Sequence, residues 1–258
     1  MVLLHGGPGL HDYMQDIVPM LADRFSVHRY DQRGGGRSAR ASPCDLATSI
    51  ADLEALRAYW GHDRVRLVGH SFGACLALLY AFEHPEHIER MVLWCGIGIT
   101  MGWQDEQRAA VEARLTSAEL ARLGEIRSIL QTGAADPDSA LDREGMRLRA
   151  ISDLADRSNA GLLPDPVFAY PTNYEVNARQ NADWVRLIDS GELDRRARTV
   201  TVATVVWQAE GDPRPEGPAR ALAEVLPSAR FEILPKAGHL PWIERPNAVR
   251  TRLRELLG

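Results

Sequence analysis

A serine, an aspartate and a histidine, far apart in the chain, each stand just past an apolar run. Gly69-His70-Ser71-Phe72-Gly73 has the spacing G-x-S-x-G, between a strand-like stretch at 65–68 and a helix-like stretch at 74–82. A serine so placed occupies a sharp strand-to-helix turn that pushes its hydroxyl out of the sheet, and the flanking glycines leave room for the turn. A hydroxyl is a poor nucleophile at neutral pH. It needs a base, a group that orients the base, and donors for the oxyanion it creates. Asp212 follows a predicted strand at 201–207, and His239, in Lys236-Ala237-Gly238-His239, follows another at 230–234. The order Ser71, Asp212, His239 is the one expected of such an elbow. Glu210 is the nearest competitor of Asp212. One oxyanion donor is expected from the backbone N–H of Phe72. The second is expected from the loop after an early strand, where His5-Gly6-Gly7-Pro8-Gly9 nominates Gly7. Each donor contributes about 3–4 kcal/mol to the transition state.

These residues need a sheet to bring them together. Short apolar runs at 1–4, 25–30, 65–68, 90–95, 201–207 and 230–234 read as strands. Helical spacing appears at 12–22, 46–60, 74–82, 216–225 and from 246. Alternating strands and helices point to a mostly parallel sheet covered on both faces, with sites at the carboxyl ends of the strands. Residues 100–198 differ: they are rich in Arg, Glu, Ala and Leu and contain no convincing strand. A capping box at Thr116 and Glu119 opens a helix; others are expected at 138–157 and 177–188, with a proline-bearing loop at 159–173. The expected division is a core of 1–99 and 199–258 and a helical insertion of 100–198.

The chain has 258 residues, 45% hydrophobic and 25% charged, with a formal net charge of -5. Without a Lys/Arg-rich run this argues against nucleic acid as a partner. No stretch approaches the roughly 20 apolar residues of a membrane span, and no signal peptide is apparent. Cys44, Cys75 and Cys95 make no disulfide framework, which fits a reducing, cytoplasmic location. Asp31, Arg33 and the glycines at 34–36 are assigned to loop architecture. His5 and His70 are assigned to packing, Trp242 and Ile243 to the core, and His84 and His87 to a helix end without metal spacing.

HGGPG at 5–9, DQRGGGRS at 31–38, GHSFG at 69–73 and Gly238-His239 together resemble the α/β-hydrolases, and within that fold the proline iminopeptidase group. The resemblance is close over the two sheet-forming segments and weak over the insertion, which it implies is a cap over the substrate pocket. It implies release of an N-terminal proline from a short peptide, with no cofactor or metal. It also implies two strands before HGGPG. Here that strand begins at residue 1, so an exposed sheet edge is expected unless a second subunit, as in a homo-oligomer, covers it. Such aminopeptidases bind the substrate amine with acidic residues. Asn173-Tyr174-Glu175 resembles the segment carrying one of them and nominates Glu175. Where a second glutamate would follow the triad aspartate this chain has Pro213-Arg214-Pro215, and Arg214 favours an anionic substrate group over an ammonium. Two alternatives stay open: a small-molecule esterase, lactonase or amidase, and a non-catalytic binding member of the fold.

Overall fold

Strand residues alternate between two cores, and this alternation sets the layers. The computed structural model describes residues 1–40, 42–131 and 140–258. In chain order the elements are β1 (Val2–Leu4), α1 (Val18–Leu21), β2 (His28–Arg29), α2 (Leu46–Tyr59), β3 (Val65–His70), α3 (Phe72–Glu83) and β4 (Ile88–Trp94). Then follow α4 (Gln104–Arg114), α5 (Ser117–Gln131), α6 (Ala140–Ser152), α7 (Tyr174–Asp189) and α8 (Glu192–Ala197). The last are β5 (Thr204–Ala209), α9 (Glu216–Val225), β6 (Ala229–Leu234), α10 (Pro241–Glu244) and α11 (Pro246–Leu257).

All strand pairs are parallel, in the order β2-β1-β3-β4-β5-β6. Val2, Leu4, Leu67, Met91, Leu93 and Val206 enter a core with α2, α3 and α9. Leu3, Val68, Val92, Trp94, Val205 and Trp207 enter the opposite core with α1 and α11. Near-continuous apolar strands are what a parallel sheet covered on both faces requires. The sheet edge beside β1 is β2, which has two residues where six were expected; His28 stacks on Trp60 there, with ring centroids 4.3 Å apart.

Between β4 and β5 the described residues form helices and loops only. The capping box is present: Glu119 Oε2 accepts from Thr116 N at 2.8 Å, and Thr116 Oγ1 accepts from Glu119 N at 3.3 Å. α6 ends at Ser152 rather than 157, where Asp153 O accepts from His239 N at 2.7 Å; residues 138 and 139 of that expected helix lie outside the described residues. α7 starts three residues early, because Asn173 Oδ1 caps it by accepting from Val176 N at 3.3 Å. α4 and α8 were not expected, and the expected loop opens on a 3-10 turn over Arg157–Leu162. No helix is long and apolar enough to cross a membrane among the described residues.

Candidate active site

Ser71 is the one residue between β3 and α3, and its backbone is strained, at φ 55° and ψ -123°. A non-glycine residue there costs on the order of 1–3 kcal/mol and persists only where its surroundings dictate it. They do so here from both sides. Ser71 N donates to Trp94 O at 2.8 Å, which extends the β3–β4 ladder into the turn. A Cβ on Gly69 would lie 2.2 Å from the Gly73 carbonyl, so the turn closes only around glycine. The Ser71 side chain lies at a cavity of about 500 Å³ also lined by Gly7, Tyr13, His239 and Arg214 and roofed by residues of α4, α5, α6 and α7.

The turns after β5 and β6 are pinned to each other, Gly211 N donating to Ala237 O at 2.8 Å. This sets His239 Nδ1 2.7 Å from Asp212 Oδ2. A carboxylate only accepts, so Nδ1 carries the proton and Nε2 keeps its lone pair. The Asp212 side chain is wholly buried. Burial disfavours its charge, but His239, the Arg214 guanidinium and the Arg214 backbone N–H together outweigh burial and hold the carboxyl well below the usual carboxylate range. Asp212 Oδ1 accepts from Arg214 N at 2.9 Å and from Arg214 Nη1 at 3.3 Å. Among the described residues neither Ser71 Oγ nor His239 Nε2 has a hydrogen-bond partner, and both face the cavity.

Gly7 lines the same cavity, and its N–H and that of Phe72 are uncommitted among the described residues. The preceding Gly6 is pressed on Ser71: a Cβ there would lie 2.5 Å from Ser71 Cβ. The loop at 5–9 is braced from two directions. Gln32 Nε2 donates to His5 O at 2.7 Å, while Asp31 is held by Asp12 N, Arg37 N and Arg37 Nε, the loop role expected of it. From the insertion, Asn173 N donates to Gly9 O at 2.9 Å and Asn177 Nδ2 to Pro8 O at 2.9 Å.

The structure thus brings Ser71, His239, Asp212, Gly7 and Phe72 together, and two other nominees behave differently. Glu175 is exposed and lies outside the cavity lining, to which the capped start of α7 contributes Tyr174 and Asn177 instead. Arg214 does line the cavity, but its Nη1 donates to Asp153 Oδ1 at 2.7 Å as well as to Asp212, so its charge is engaged by protein carboxylates. Glu210 sits outside the site, accepting from Lys236 N at 2.9 Å. Asp153 went unnoticed in the sequence, although its place one turn beyond Arg149 on a helical pattern was a usable signal. Tyr13 carried none.

His70 is more than packing. Its Nε2 donates to His239 O at 2.7 Å, so its Nδ1 accepts from the Tyr13 hydroxyl at 2.8 Å, which accepts from Gly6 N at 2.8 Å. Burial pushes the His70 ring well below the usual histidine range, which keeps it neutral. Donor atoms of His70, Cys95 and His239 lie within 4.8 Å of one another, but both His70 nitrogens and His239 Nδ1 are occupied, which leaves too few ligands for a metal. Glu54, His84 and His87 are also grouped, yet Glu54 is already paired with the Arg57 guanidinium at 2.6 Å.

A family model described as alpha/beta hydrolase fold matches residues 1–246. Similar curated proteins include a proline iminopeptidase of Lactiplantibacillus plantarum, 26% identical over 273 residues, covering 100% of this chain and 91% of that protein. Another, from Levilactobacillus brevis, is 28% identical over 269 residues, covering 100% and 87%. Among solved structures, a serine hydrolase from Cycloclasticus zankles superposes with a TM-score of 0.73 at 19% identity, over 99% of this chain and 88% of that one.

Proposed function

The chain belongs to the α/β-hydrolase family, and from the geometry of its site we propose that it is a serine hydrolase that cleaves a small ester, lactone or amide through an acyl-enzyme. One observation carries this: strained Ser71 faces the same cavity as His239, whose other nitrogen is held 2.7 Å from buried Asp212. Ser71 Oγ attacks the substrate carbonyl carbon. His239 Nε2 takes the hydroxyl proton and returns it to the leaving group. Asp212 fixes the ring's tautomer and stabilises the imidazolium. The N–H groups of Phe72 and Gly7 hold the developing oxyanion, and water, activated by the same imidazole, cleaves the acyl-enzyme. The helices of 100–198 act as the cap that shapes the pocket.

A second reading, release of an N-terminal proline, is favoured by the full-length similarity to proline iminopeptidases. The exposed position of Glu175 counts against it.

A fluorophosphonate probe tests the nucleophile. Labelling of the intact protein and its loss in Ser71→Ala are expected; equal labelling of both would remove Ser71 from the mechanism, and no labelling of either would favour a binding protein. Turnover of acyl p-nitrophenyl esters without turnover of prolyl p-nitroanilide is expected. The reverse pattern would establish the second reading.

A further inference from the structure

The cavity over Ser71 carries a surplus of fixed positive charge. Its lining includes Arg108 on α4, Arg127 on α5, Arg149 on α6 and Arg214 after β5, against a single carboxylate, Asp153. Two of the four are already satisfied: Arg214 by Asp153 and Asp212, Arg108 by Asp105. Arg127 and Arg149 have no ion-pair partner among the described residues. Arg149 is half-buried and Arg127 is exposed, and helix phase puts both in the cavity wall. Met146, Arg149, Ser152 and Asp153 recur at three- and four-residue intervals on one face of α6 and its end, and Leu123 and Arg127 share a face of α5. Asp142, on α6 behind this wall, accepts from the Tyr174 hydroxyl at 2.7 Å and is not part of the lining.

A guanidinium stays charged at every relevant pH and presents a planar fork of donors that matches a carboxylate. Two such groups in a cleft concentrate anions and repel an ammonium. We propose that Arg127 and Arg149 form an anion subsite, and that the substrate is an acyl compound bearing a carboxylate apart from its scissile carbonyl. This rests on Ser71 acting as an acyl-transfer nucleophile. The anion preference then lies with two cap arginines rather than with Arg214, whose charge is engaged by Asp153 and Asp212.

The test compares the mono-p-nitrophenyl ester of adipate with the neutral heptanoate ester. The adipate ester is expected to have at least about ten-fold higher kcat/KM, a preference that added salt weakens. Arg127→Gln and Arg149→Gln are each expected to lower adipate kcat/KM about ten-fold, mainly through KM, with the heptanoate ester changed less than about two-fold. Binding of monomethyl adipate to Ser71→Ala, measured by calorimetry and lost in Ser71→Ala/Arg149→Gln, tests the subsite without turnover. Equal use of both esters, equal damage to both by the variants, or no binding of monomethyl adipate would each overturn the subsite. Failure of Ser71 to label with fluorophosphonate would overturn the hydrolase reading instead, and leave the binding result to judge the subsite.

Discussion

His70 Nε2 donates to the backbone carbonyl of His239 at 2.7 Å, so the residue before Ser71 holds the main chain of His239. The other nitrogen of the same ring reaches Gly6 of the loop at 5–9 through the Tyr13 hydroxyl. Three elements distant in sequence are thereby fixed by one neutral chain of hydrogen bonds. Ser71, His239 and Gly7 keep their reacting groups free for substrate while their neighbours are tied down.

Tyr13→Phe cuts this chain and keeps the ring that stacks on Trp242. Gly6 N–H and His70 Nδ1 each lose a buried partner, a loss of about 1–3 kcal/mol per unsatisfied group. Tyr13 is a positioning residue, so kcat for a neutral ester is expected to fall about ten-fold with KM within about two-fold, and fluorophosphonate labelling to slow in parallel. A raised KM with unchanged kcat would make Tyr13 only part of the pocket wall.

The neutral state of His70 has a pH signature. Burial lowers its folded pKa well below its ordinary value of 6.5, so between these two values the unfolded chain binds a proton that the folded one does not. Stability then rises with pH across that window and is lost as pH falls below about 6.5, at up to about 1.4 kcal/mol per pH unit. Buried His5, also lowered by burial, adds in the same direction. Urea unfolding from pH 7 to pH 5 is expected to show a shallower slope in His70→Gln than in the parent. Identical slopes would mean that His70 titrates alike in both states.

Arg214 is expected to matter for stability before specificity. Its side chain and that of Asp153 are each 18% exposed, and that of Asp212 is 0% exposed. Arg214→Met strands two neighbouring carboxylates, and removing one partner of such a buried set costs about 3–5 kcal/mol. Adding Asp153→Asn removes one stranded charge and should recover part of the loss, which a double-mutant cycle of denaturation midpoints measures. Additive losses would mean the two side chains do not interact.

The turns that carry Ser71, Asp212, His239 and Gly7 were legible because each is a local pattern: glycines where a turn closes, an apolar run before it. The parallel sheet was legible for the same reason. The ion pairing of Arg214 was not legible because its partner Asp153 lies in the insertion, and no local pattern marks an ion pair between residues 61 apart. Helix phase also decides where Glu175 falls, outside the cavity lining. Once Asn173 caps α7, Tyr174 and Asn177 share the face that lines the cavity, and Glu175 falls off it. α4 was missed because it buries no residue completely and shows too little apolar periodicity to read. The hydrogen bonds of His70 join residues 57 and 169 apart and exist only once the sheet has formed.

Gly6→Ala separates a collision at the nucleophile from ordinary backbone strain. The new Cβ would lie 2.5 Å from Ser71 Cβ, 2.7 Å from the Tyr13 hydroxyl and 2.8 Å from His70 O. Two of these atoms belong to the elbow itself, so relief requires the elbow or the oxyanion loop to shift, and the Gly7 N–H moves with the loop. Loss of one oxyanion donor costs about 10²–10³ in kcat, and a fall of that size is expected. Gly61→Ala is the control. Its φ of +71° is unfavourable for alanine, a strain absent at Gly6, whereas nothing lies within 4 Å of the added Cβ, and the residue stands at the far end of α2. It is expected to lower stability by about 1 kcal/mol and leave kcat unchanged. If Gly6→Ala kept full kcat, the loop at 5–9 would be shown to supply no oxyanion donor, and the second N–H would have to come from elsewhere.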